Sequence, residues 1–114
     1  DMGAVAAILR AARDPLLAAI VADSPFSSLW GLMREMAARS APPLLCGPLC
    51  HFARAAILQH AAFDVCEVSP EEGAADCRAP VLLLRAEDDG TLPPVQARAL
   101  LQACGGGGQL LTMP

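Results

Sequence analysis

The chain has 114 residues, 54% of them hydrophobic, and a net charge of -4 that arises from twelve acidic residues, eight arginines and no lysine. This is length for one domain or part of one and composition for a buried core, with no run of about 18 uncharged apolar residues to span a membrane. The arginines form no cluster, which excludes a nucleic-acid footprint. Five cysteines, Cys46, Cys50, Cys66, Cys77 and Cys104, make an odd, irregular set with no signal-peptide pattern before them, and predict a reduced, cytoplasmic protein.

Gly3 to Arg13 mixes alanine with Val5, Ile8 and Leu9 and stops at Arg13-Asp14-Pro15, the pattern of a buried helix closed by proline. Leu16 to Ala22, centred on Ile20 and Val21 and followed by Asp23-Ser24-Pro25, predicts a strand covered on both faces. Ser28 is placed to cap a helix in which Leu29, Leu32, Met33 and Met36 recur at helical spacing, with Arg34, Glu35 and Arg39 on the far side. Ala41-Pro42-Pro43 breaks that helix. The stretch to Pro48 reads as a proline-rich loop, and a second helix runs from about His51 to His60. Residues 40–64 are expected to form a helical, lid-like insert over a sheet.

Ser69-Pro70-Glu71-Glu72 has the serine, proline and glutamate of a capping box and opens a short helix. Ala79 to Leu84 is the clearest strand and ends in the acidic turn Glu87-Asp88-Asp89-Gly90. Pro94 starts a helix through Val95, Ala99 and Leu100, and Gly105, first of four glycines after Cys104, is placed to cap it. Gln109 to Met113 is a last strand. Strands alternating with helices predict a parallel sheet with helical crossovers, an α/β fold.

Candidate chemistry lies at few positions. Asp1 immediately precedes the first helix, where an aspartate suits the N-cap. Asp89, with Glu87 and Asp88, sits in a turn that reads as a solvated loop, a weak calcium site or a carboxylate presented at a strand end. Cys46, Cys50 and His51 lack a second ligand pair at zinc-finger spacing, so no metal is expected. Trp30, with Leu29, Met33 and Met36, reads as core packing or as the roof of an acyl pocket.

Asp1-Met2-Gly3 running into a helix resembles the second half of the G-x-S-x-G nucleophile elbow of the α/β-hydrolases, with Asp1 at the serine position. Relatives with an aspartate nucleophile usually place tryptophan next, so Met2 sides with the serine group. Pro80 to Pro93 resembles the strand that ends in H-G-x-x-D-x-x-V-P, which aligns Asp89 with the triad aspartate and puts Arg85-Ala86 where His-Gly is usual. Asp23-Ser24-Pro25-Phe26-Ser27 and Phe63-Asp64-Val65 resemble stretches of the serine aminopeptidase-like group, in the same order. The loop from Asp23 either lines a pocket or simply caps the next helix.

The resemblance covers nearly the whole chain apart from residues 40–62. It implies the rear half of an α/β-hydrolase fold, from the nucleophile elbow to the strand before the histidine loop, with the catalytic histidine expected beyond Pro114. It implies hydrolysis of an ester, thioester or amide by a triad in which Asp1 stands at the nucleophile position and Asp89 orients the histidine. The substrate would be a small molecule or acyl compound; no cofactor, metal or nucleic-acid partner is implied, and residues 1–114 alone should be inactive. His51 and His60 do not occupy the histidine position. The alternatives are a catalytically dead binding protein on the same fold, favoured by Asp1 and Arg85-Ala86, and an independent small ligand-binding domain.

Overall fold

A computed structural model describes residues 2–114; Asp1 lies outside the described residues. In chain order the elements are α1 (Met2–Ala11), β1 (Ile20–Asp23), α2 (Leu29–Ser40), α3 (Pro43–Ala61), a 3-10 turn (Val65–Glu67), α4 (Pro70–Asp76), β2 (Val81–Ala86), α5 (Pro94–Ala103) and β3 (Gly108–Met113). Two compact units result. One comprises the chain up to Ser27 together with Pro70–Pro114, the other Ser28–Ser69.

The first unit is a parallel three-stranded sheet of order β1-β2-β3, in which Ile20, Val81 and Gly108 share a register position. Strands added successively in one direction by right-handed crossovers bring their helices to one face. Ile8 and Ala11 of α1, Ala74 of α4 and Leu100 of α5 accordingly pack with Ile20, Ala22, Val81 and Leu83 in one core. The intervening strand residues turn away from it: Val21 is 64% and Leu111 51% exposed. Within residues 2–114 β1 is covered on one face, because α1, α4 and α5 all pack in the same core.

The strand also starts later than the apolar run suggests. Asp14 turns the chain first, its Oδ1 accepting the Leu16 N–H at 3.1 Å, and Leu16 is left 91% exposed. Gly105 is likewise not a left-handed helix cap. The helix-ending residue is Cys104, and a Cβ on Gly105 would collide with the Ala75 carbonyl, so glycine is needed there for close backbone approach. Gly107 is the one in the glycine run with positive φ, +87°.

In the second unit α2 begins as expected, with Ser28 Oγ accepting the Gly31 N–H at 3.2 Å. The proline-rich loop expected before His51 is instead helical. Pro43 takes the first helical position, where no donor is required and its fixed φ is suitable, and α3 continues through Pro48 to Ala61. Pro48 lacks only the N–H that would bond to the Leu44 carbonyl, and the helix tolerates that loss; His51 consequently lies mid-helix. The backbone turns out at Ala62 through a left-handed conformation, φ 57°. Arg54 on α3 and Asp64 then pair through Nε–Oδ1 at 2.9 Å and Nη2–Oδ2 at 2.5 Å, while Asp64 also accepts the Cys66 N–H at 3.0 Å. These bonds hold the Asp64 carboxyl at about 2, the Arg54 hydrogen bond being the largest cause. No helix among the described residues is long and apolar enough to cross a membrane.

Candidate active site

The C-terminal ends of β1 and β2 bring Asp23, Ser24 and Asp89 to one end of the sheet. In open parallel sheets this is the end at which ligands bind, because loops there are free to vary over a fixed scaffold. Ser24 leaves β1 in the left-handed region, φ 48°, and its N–H donates to the Leu84 carbonyl at 2.9 Å, carrying the β1–β2 ladder one bond further. Its hydroxyl donates to Asp23 Oδ1 at 3.1 Å. Beyond it Pro25, Phe26 and Ser27 are buried. Ser27 bonds to Gln96 of α5, and its carbonyl accepts the Glu71 N–H at 3.0 Å, so this turn is tied to both α4 and α5.

Asp89 is half-buried in the turn after β2, whereas Glu87 and Asp88 are exposed. Its Oδ1 accepts the N–H groups of Thr91 at 2.9 Å and Leu92 at 3.0 Å, an Asx-type arrangement that also seats Leu92 in the interior. The Leu92 N–H is the largest cause lowering the carboxyl below its ordinary range; partial burial opposes it, while the Thr91 N–H, the Arg85 charge and a hydrogen bond from Ser24 assist. Asp89 is thus an ionised acceptor at physiological pH, held by the backbone, which is the state required to orient an imidazole. Arg85 reaches the Glu87 carbonyl with Nη2 at 3.5 Å. The turn is closed on its other side by the Glu87 N–H donating to the Met113 carbonyl at 2.7 Å.

The remaining expected positions separate. Asp1, expected at the nucleophile position, lies outside the described residues. His51 and His60 are both exposed on α3, His51 with its ring tilted 55° against Trp30 at 5.5 Å between centroids. Trp30 is half-buried; with Arg34, Glu35, Cys46, Cys50 and His51 it lines a cleft of about 790 Å³ in the second unit. All five cysteines are free thiols. Among the described residues no group of three or more His, Cys, Asp or Glu is arranged to hold a metal ion.

Sequence reasoning missed Gln96. Its signal was present: Gln96, Ala97 and Leu100 form the buried stripe of α5, and a glutamine on such a stripe requires a partner. It also missed the strain at Ser24, which has no composition signal, because a left-handed serine is indistinguishable in sequence from an ordinary turn serine.

No family model matches the sequence, and no curated protein matches it. Solved structures do. Rv0554 from Mycobacterium tuberculosis superposes with a TM-score of 0.59 at 17% identity, over 99% of this chain and 54% of its own. BpoC of Mycobacterium tuberculosis H37Rv, provisionally named a non-heme bromoperoxidase, superposes with a TM-score of 0.57 at 18% identity, over 99% of this chain and 55% of its own. The chain spans about half the length of these structures. At such identity the likeness concerns fold alone: the three-stranded parallel sheet with helical crossovers matches about half of an α/β-hydrolase-fold chain.

Proposed function

We propose that this chain is the carboxylate-bearing half of a hydrolase domain that cleaves an ester, thioester or amide through a nucleophile–histidine–aspartate triad. Asp89 orients the histidine, which the full-length protein supplies from outside residues 1–114, and Asp1 stands at the nucleophile position. The observation that carries this reading is the placement of Asp89: an ionised, half-buried carboxylate in the turn after a parallel strand, with backbone donors fixing one oxygen. A carboxylate so held selects the imidazole tautomer and stabilises the imidazolium formed during acyl transfer. The fold likeness supports the same reading. Residues 40–64, which fall within the compact unit Ser28–Ser69, would form a lid-like insert, and a cytoplasmic setting is proposed on the odd, irregular set of five cysteines.

In the full-length protein Asp89→Asn is expected to lower turnover of an activated ester by about 10³- to 10⁴-fold with little change in stability, while Asp88→Asn does little. Equal effects from the two substitutions, or none from either, remove Asp89 from the triad. A second reading, a catalytically dead binding protein, is favoured by Asp1 in the serine position and by Arg85-Ala86. Under it, neither substitution changes ester turnover, which is absent from the start.

A further inference from the structure

We propose that the outer face of α3 docks on an anionic lipid surface, with the helix lying in the plane of the membrane interface; the inference concerns the second unit alone and goes beyond the triad reading above. Cys50, buried on α3, turns its thiol toward α2, where Sγ meets the Met33 carbonyl at 3.8 Å. Helical geometry places Leu44, Leu45, Pro48 and Phe52 on the opposite side of α3, with Leu49 at their border. All five are exposed, Leu44 at 87% and Phe52 at 75%. Leu49 carries the patch into a shallow apolar groove of about 280 Å³ that it shares with Met33, Met36 and Ala53. The inner stripe of α3 is thus satisfied by α2, and the outer one is apolar and open.

Charge selects what covers it. α3 has no acidic residue, and α2 and α3 together carry three arginines and one glutamate, whereas the rest of the chain carries five arginines and eleven acidic residues. Arg39, exposed in the last turn of α2, brings one of these positive charges to the turn that leads into Leu44. A second copy seated face to face would set like charges against each other. Leucine and phenylalanine on one side of a helix that lacks carboxylates, with arginines close by, suit a lipid interface: the apolar side chains enter the acyl boundary by about 5–10 Å while the basic groups meet the headgroup phosphates. The helix lies on the bilayer and does not cross it, since no helix among the described residues is long and apolar enough.

The test is co-sedimentation of the full-length protein with vesicles of phosphatidylcholine alone and of an equal mixture of phosphatidylcholine and phosphatidylglycerol. Binding is expected to the mixed vesicles and not to the neutral ones, and it should weaken as salt rises. The paired change Leu44→Gln and Phe52→Gln should weaken it by about 10-fold or more with Tm unchanged, because both side chains are exposed in the folded chain. Leu16→Gln, likewise exposed but in the first unit, should leave it unaltered. With Phe52→Trp, lipids brominated along their acyl chains should quench more emission than Trp30 loses in the unaltered protein. Failure to bind the mixed vesicles, equal binding to both kinds, binding that survives the paired change, or no added quenching overturns the proposal. A dimer in sedimentation velocity that the paired change dissolves, without vesicle binding, also overturns it and assigns the face to a second copy.

Discussion

Ser27 and Gln96, 69 positions apart, meet at a single buried oxygen: Gln96 Oε1 accepts the Ser27 N–H at 3.0 Å and the Ser27 hydroxyl at 2.6 Å. Both residues are 5% exposed. The pair joins the turn that follows β1 to the first turn of α5, which itself follows the Asp89 loop. Two strand-end loops are thereby locked at a fixed separation by an interaction that neither loop could form alone.

Gln96→Leu preserves much of the volume but leaves the Ser27 donors without the glutamine oxygen in a buried site. We expect a loss of about 2–3 kcal/mol in the full-length protein, read from the shift of the urea midpoint at constant m-value. A loss below about 0.5 kcal/mol would show that water replaces the glutamine oxygen and that the lock is not structural.

Leu83 and Leu111 have opposite surroundings on the same sheet, 0% and 51% exposed. Leu83→Ala should cost about 2–5 kcal/mol by opening a cavity beneath the helices. Leu111→Lys should instead raise the solubility of the isolated chain, since Leu111 belongs to the uncovered apolar face and parallel sheets are ordinarily covered on both. The isolated chain is expected to aggregate or remain molten for the same reason. A cooperative thermal transition from a monomer, with protected amides throughout Val81, Leu82, Leu83 and Leu84, is the result that contradicts this.

Asp64 gives the second unit a dependence on acid. Its carboxyl is lowered from 3.8 to about 2 in the folded state, principally by Arg54, so its contribution is fully present above 3.8 and is lost as pH falls toward about 2. Amide exchange and chemical shifts of Val65, Cys66 and Glu67, followed by NMR across that window, should report loosening of the turn that Asp64 caps. Asp64→Asn should flatten the response between those values. An unchanged pH profile in that variant assigns the acid sensitivity to other carboxylates.

Asp1 is tested by chemistry. An aspartate nucleophile would be esterified by substrate, and water would then attack the Asp1 carbonyl carbon. Under the triad reading, single turnover of the full-length protein in heavy-oxygen water should leave label in the Asp1 carboxylate; no label, the outcome to which Met2 points by its resemblance to the serine group, favours the catalytically dead reading. Label in the Asp1 peptide would place the protein with the aspartate-nucleophile hydrolases.

Local chemistry made much of this legible in advance. The alternation of apolar runs with helical periodicity led to a parallel α/β sheet; Ser28 marked the start of α2, and prolines marked α4 and α5, because capping and φ restriction act within a few residues of chain. Asp89 stood out through a resemblance instead, that of Pro80 to Pro93 to a family's strand end, since its local chemistry alone also fits a solvated turn. Position along the chain was less informative where a residue's neighbours are distant. That β1 is covered on one face only depends on where α1, α4 and α5 land, and that Pro48 lies within a helix depends on the turns to either side outweighing one missing hydrogen bond. The left-handed Ser24 and the buried bond between Ser27 and Gln96 likewise required the tertiary structure, since backbone strain and burial are set by the closing of loops whose ends are brought together by the sheet.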